Sequence, residues 1–288
     1  MNKTKSLCYG LAVTLALAAC PQKEKQPAPV RSYAMRPILR IPVQIFLGDT
    51  ASAALLQNPG ALTIALGDTD ALPQGPESFD ILHDGGFVIA DPLRQRLVFY
   101  DSAAVYIEAW PLGFPADGVA LVENGDLEVR HATTGEYYLV DDSRQPRPIT
   151  SSGRGSRSAA VSNEAEFTPG AKRGQILNAN GRGGSGALEV NFSSDSLSLI
   201  SLESLGTDAR GFTYAVLETT PGGSSREPLR IQKFVRKYAA DGVLVGQILD
   251  IAIDYYVTPE DDLRLREEVV YQLMPLQDEV QIRKWDTR

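Results

Sequence analysis

Few side chains in this sequence could do chemistry, and their positions narrow the choice further. Two histidines are the whole imidazole inventory of the 288 residues. His83 sits in the Gly-flanked turn His83-Asp84-Gly85-Gly86, and His131 stands beside Ala132-Thr133-Thr134-Gly135. Turn histidines are ordinarily solvated, so histidine acid–base chemistry and His-rich metal sites are not expected. No serine has a Gly-x-Ser-x-Gly context. The stretch "NGRGGSG", Asn180 to Gly186, has the glycines of a phosphate loop but neither its lysine nor a strand–loop–helix setting, and reads as a hairpin tip. Carboxylates remain. Glu77, Asp117, Asp208 and Asp262 each stand at or near the start of a short apolar run. Brought together, their oxygens would suit Ca²⁺. Kept apart, they cap strands or make turns.

The elements that would have to position those acids are strands. From Gly75 onward no stretch carries a long 3.6-residue period. Short β-branched and aromatic runs recur, broken by Asp, Asn and Gly, and 25 glycines with 18 prolines supply many turns. "ESFDILHDGGFVIADPLRQRLVFYDSAAVYIEAW" divides into strands at Phe79–Leu82, Phe87–Ala90, Arg96–Tyr100 and Val105–Trp110. "DGVALVENGDLEVRHATTGEYYLVDD" repeats the first three pieces, with its Gly turn about forty residues after the first. A looser unit spans about Ala159 to Ile200, and two more follow from Leu202 to Asp286. That period matches a four-stranded propeller blade. The expectation is an all-β fold, a β-propeller of six blades over residues 37–288, with five or seven as alternatives and a two-sheet β-sandwich as the alternative architecture. An N-terminal strand is expected to complete the C-terminal blade, because that removes a sheet edge. The C-terminal pair is expected at Val269–Met274 and Val280–Trp285.

The stretch "GPESFDILHDGGFVIADPLRQRLVFYD" resembles the NHL-type propeller repeat: Gly-Pro before the inner strand, a Gly turn, an apolar pair before Ala90-Asp91, an arginine, and Tyr100-Asp101 at the end. The resemblance implies that the aspartate and arginine pin the turn between the middle strands. Pro92 and Leu93 depart from the small polar residues usual there. In architecture the chain also resembles six-bladed lactonases and related hydrolases. That resemblance implies a calcium ion in the central channel, for which Glu77, Asp117, Asp208 and Asp262 are the candidate ligands.

The first residues give an address. Lys3 and Lys5 precede an uncharged apolar run from Leu7 to Ala19, too short to span a bilayer comfortably and shaped like a secretory signal. Leu17-Ala18-Ala19-Cys20 resembles the bacterial lipobox. The resemblance implies removal of residues 1–19, lipidation of the Cys20 thiol and acylation of the new amino terminus, and several acyl chains anchor stably. Pro21, in place of an aspartate, points to the outer membrane. Removal of Cys8 with the leader and lipidation of Cys20 leave no thiol for a disulfide, a thiolate metal site or a nucleophile. Residues 20–36, rich in Pro, Lys and Gln, are expected to form an extended tether.

The formal charge is −8, near −10 once Lys3 and Lys5 leave with the leader. An acidic domain is a poor nucleic-acid binder. Against that background Arg144 to Arg182 holds seven Lys or Arg and two Glu. Arg154, Arg157, Lys172 and Arg173 could dock an anionic envelope component, or simply solvate an insertion between blades. Together these readings favour a monomeric, lipid-anchored envelope propeller that binds a protein or ligand without catalysis or cofactor. The alternative is a calcium-dependent, lactonase-like hydrolase.

Overall fold

The computed structural model describes residues 29–46, 58–67, 71–149, 165–167, 173–176, 187–191, 197–221 and 230–288. Among these the regular structure is almost wholly strand, with no α-helix, and the strands form five sheets. The N-terminal stretch supplies β1 (Arg31–Ser32), β2 (Leu39–Phe46) and β3 (Leu62–Ala65). The first sheet is β4 (Phe79–Ile81), β5 (Phe87–Asp91), β6 (Arg96–Tyr100) and β7 (Tyr106–Pro111). The second is β8 (Ala116–Leu121), β9 (Leu127–His131), β10 (Tyr137–Val140) and β11 (Arg147–Pro148). The third is β12 (Ala165–Phe167), β13 (Arg173–Ile176) and β14 (Leu188–Asn191). The fourth is β15 (Leu197–Thr207), β16 (Thr213–Pro221), β17 (Gln232–Tyr238) and β18 (Leu244–Ile251), extended by β1. The fifth is β19 (Leu263–Arg266), β20 (Val269–Pro275) and β21 (Glu279–Asp286), followed by β2 and β3.

Each sheet begins as an antiparallel meander in chain order, and the first strands of neighbouring sheets lie against one another: β4 on β8, β12 on β15, β15 on β19, and β19 back on β4. That return from the last sheet to the first gives the β-propeller its ring. It is locked by β2, which pairs antiparallel with β21 (Leu39 opposite Ile282, Ile41 opposite Val280). The expected N-terminal closure of the last sheet is thus present.

The core lies between the sheets. Along β5, Phe87 and Ile89 pack toward the fifth sheet, against Ile41, Leu273 and Ile282. Val88 and Ala90 face the opposite way, toward Val119, Leu127 and Val129 of the second sheet. A strand covered on both faces reads as a continuous buried run, as all five residues of β5 do, while its side chains still alternate with period two. Trp285, Val270 and Leu263 join Tyr214, Val216 and Ile248 in the same way between the fourth and fifth sheets.

The expected strands of the first sheet and of the C-terminal pair fall within a residue or two of the observed ones. The hairpin device that gave the period is also clear. In the β4–β5 turn Leu82 and Gly86 are bonded and Gly85 has φ +83°; in the β8–β9 turn Val122 and Asp126 are bonded and Gly125 has φ +92°. A left-handed residue closing a three-residue turn is the ordinary reason for glycine there. The Asp91–Arg96 pin is also present: Arg96 Nε donates to Asp91 Oδ2 at 3.0 Å, with Asp91 fully buried. Pro92–Arg94 form a single 3₁₀ turn between β5 and β6.

The described residues form five sheets, and 39–46 and 62–65 are the outer strands of the last one. Part of the stretch expected to be an extended tether is paired with the ring. Arg31 and Ser32 pair parallel with Gly246 and Gln247, and Met35 bridges to Trp285. The cause is apolar: Tyr33 and Met35 pack on the core between the fourth and fifth sheets.

Candidate functional site: a charged cavity on the inner strands

The inner strands surround a cavity of about 460 Å³. Asp80 of β4, Val119 and Ala120 of β8, Leu205 of β15 and the β19 strand Leu263-Arg264-Leu265-Arg266 line it, and the segment 260–262 before β19 adds three acids. The wall is held by bonds between neighbouring sheets. Asp80 accepts from Leu121 N across to β8 at 2.7 Å and from Ile81 N at 2.7 Å. Ser78 Oγ accepts from Val119 N at 3.1 Å. Burial raises the Asp80 carboxyl above its ordinary value, and Arg264, the two backbone donors and Arg266 oppose that rise.

The four acids singled out from the sequence do not lie together among the described residues. They fall into three clusters, each built around a cation. At the first, Arg130 grips Asp117 through two bonds of 2.9 Å and also binds Glu260. Glu77 lies beside this group, and its carboxyl is pushed up by burial and then by Asp117 and Glu260, with Arg130 opposing. Hydrogen bonding to Asp117 in turn holds the Arg130 guanidinium well above its ordinary value. At the second, Asp262 accepts from Lys233 Nζ at 2.8 Å, from the Tyr255 hydroxyl, and from Gln272 Nε2 at 3.3 Å. Burial works against the Lys233 charge, but Asp262 and Glu218 outweigh it and raise its pKa. At the third, Asp208 accepts from the Arg210 and Phe212 amides at 3.0 Å and from the Tyr214 hydroxyl at 3.1 Å, with Lys237 Nζ 3.8 Å away. Among the described residues no group of three or more His, Cys, Asp or Glu side chains is placed to hold a metal ion.

Both histidines have structural partners. His131 stacks on Phe114 at 4.9 Å, and His83 Nδ1 lies 2.6 Å from Arg266 Nη2. Cys20, Arg154, Arg157 and Lys172 lie outside the described residues. Arg173 opens β13, paired with Asn191. Sequence reasoning missed the cavity's arginines, Arg130, Arg264 and Arg266. Their signal was alternation: in "LRLR" two charged residues interrupt an apolar strand that the repeat puts innermost.

No protein-family model matches the chain, and no curated protein matches it significantly. Among solved structures it is similar in outline to a member of the DUF4221 family from Bacteroides vulgatus, at 10% identity over 89% of this chain and 97% of that one, TM-score 0.31. It is likewise similar to virginiamycin B lyase from Staphylococcus aureus, at 7% identity over 86% and 98% of the two chains, TM-score 0.33. A protein of unknown function from Bacteroides caccae shares 13% identity over 64% and 73%, TM-score 0.29.

Proposed function

We propose that the protein is a lipid-anchored β-propeller of the cell envelope that works as a binding module, its recognition face being the cavity on the inner strands. The observation that carries this reading is how the strongest charges of the ring are used. Of the lining charges, Asp262 is tied to Lys233, the Tyr255 hydroxyl and Gln272, and Arg130 is held by Asp117 and Glu260, so that ion pairs fix the wall. A cavity of about 460 Å³ is of the size of a small-ligand site, and its walls are charged. The lipobox-like Leu17-Ala18-Ala19-Cys20 supports the anchor, with the acidic domain held at a membrane surface, the outer membrane where the cell has one. The calcium-dependent hydrolase draws no support from the three-cluster arrangement.

Two experiments test this reading. Cys20→Ala should abolish lipid labelling and membrane fractionation while the circular dichroism spectrum stays unchanged; a retained lipid label defeats the anchor. Cross-linked capture from membranes should then compare the wild-type chain with Ala120→Trp, which fills the cavity from β8. Capture that is equal for the two chains defeats the cavity as the recognition face.

A further inference from the structure

Most charges lining the cavity are neutralised from within the protein. Arg130 is held by Asp117 and Glu260, Arg264 by Asp261 at 3.0 Å, and Asp262 by Lys233. Asp80 is satisfied by two backbone amides and lies in the field of Arg264 and, more weakly, of Arg266. Glu203 accepts from the Ser201 hydroxyl at 3.3 Å and contributes to the field at Lys233.

Four lining charges have no ion pair among the described residues, Asp80, Glu203, Arg266 and Glu128; Arg266 is the cation among them and Glu128 the one acid whose side chain has no hydrogen bond either. Arg266, the last residue of β19, has no carboxylate within ion-pair distance among the described residues; its hydrogen-bond partner is the His83 ring nitrogen. Glu128, on β9 opposite Ala120 of β8, has neither an ion pair nor a hydrogen bond from its side chain among the described residues. Both are half-buried. Arg266 is bonded to a ring nitrogen and lies in the field of Asp80, but like Glu128 it has no ion pair, so each side chain is more favourably placed when a ligand supplies the opposite charge at close range. A guanidinium recognises a planar carboxylate through paired hydrogen bonds, and a carboxylate accepts from an ammonium.

From these two residues we infer that the cavity binds a small zwitterion, its carboxylate on Arg266 and its ammonium on Glu128. Leu205, Val119 and Leu265 supply apolar wall between polar positions, which suits a ligand with an aliphatic body such as a short peptide with free ends. This inference rests on the cavity being the recognition face and adds the chemical class of what it recognises.

The test is calorimetric titration of the full chain in detergent with three probes: tri-alanine, its C-terminal amide and its N-acetyl form, with inorganic phosphate as a fourth. Tri-alanine should bind, and the amide and the acetyl form should each bind at least about tenfold more weakly, the effect of losing one charge-assisted pair. Arg266→Gln should erase the difference between acid and amide while keeping that between free and acetylated amine, and Glu128→Gln should do the reverse. The two variants lie on different sheets, and thermal melts identify which remain folded, so either one carries the test alone. Equal affinity for the three peptides, no binding of tri-alanine, a preference for phosphate, or discrimination that survives the folded variants would each overturn the zwitterion. If Ala120→Trp still abolishes capture in that event, the recognition face stands and only the ligand class falls.

Discussion

Replacing Trp285 with alanine should destabilise the whole ring, because this one side chain joins three parts of it. Trp285 is fully buried on β21, opposite Val270 of β20, and bridges to Met35 of the N-terminal stretch. Its ring packs among Tyr214, Val216 and Ile248 of the fourth sheet, and its Nε1 donates to Asp250 Oδ1 at 2.9 Å. Truncating a buried aromatic to alanine costs about 3–5 kcal/mol. For a domain of this size that lowers the melting midpoint by about 6–20 °C, and it is a large share of the roughly 5–15 kcal/mol that holds a typical domain together. Trp285→Phe keeps most of the packing and removes the bond to Asp250, so it should cost only about 1 kcal/mol. The assay is urea unfolding followed by far-ultraviolet circular dichroism, since the substitution removes one of only two tryptophans. A Trp285→Ala midpoint within about 1 kcal/mol of wild type would mean the cavity closes up or the ring does not depend on this joint, and the account of closure by β21 and β2 would fail.

Deleting Leu276 to Arg288 removes all of β21 and strips β20 and β2 of their shared partner, so the product should aggregate in light scattering; a soluble chain with an unchanged melt would refute closure by this strand. Arg96→Leu leaves the fully buried Asp91 without its ion pair and removes a donor from each of the carbonyls of Pro59 and Ala61, and should cost about 3–5 kcal/mol in urea unfolding. A loss below about 1 kcal/mol, the range of an exposed pair, would show that the pin is ornamental. Lys237 makes a pH prediction. Burial, with some help from Arg210, holds its ammonium below the ordinary lysine value against the pull of Asp208 and Glu268. Between that lowered value and about 10.4 the unfolded chain keeps a proton that the folded chain has released, so this group adds stability as pH rises. The wild-type advantage over Lys237→Met, read from urea midpoints, should therefore grow through the alkaline range, and a flat or shrinking difference would refute it.

The parts of this structure that were legible in the sequence are those in which a local pattern carries the information. The β4–β7 strands announced themselves because each turn places its left-handed glycine or its Asp at a fixed offset from an apolar run, and Asp91 and Arg96 are only five residues apart. Ring closure was legible too, because an unpaired N-terminal strand and an open C-terminal sheet edge solve each other's problem. What escaped was non-local. β3 joins β2 in parallel, so no tight turn marks the pairing. Asp262 and Lys233 meet across 29 residues, and Arg130 and Glu260 across 130, so the acids that looked like metal ligands were seen without the cations that hold them.

That last omission explains why the four acids looked, in the sequence, like parts of one site. A carboxylate at the start of an inner strand is conspicuous in a list of residues, but its chemistry depends on what the ring folds against it. Asp117 and Asp262 are each tied to a cation and serve as framework, whereas Arg266 and Glu128, unremarkable in sequence, are lining charges without an ion pair among the described residues. The difference is one of register. A shift by a single residue in β19 would exchange Arg264 and Arg266 with Leu263 and Leu265 between the strand's two faces and so move the charges along the cavity wall. The pairing of Arg266 with Val269 and of Arg264 with Tyr271 therefore decides where the charges of the cavity stand as much as the identity of the residues does.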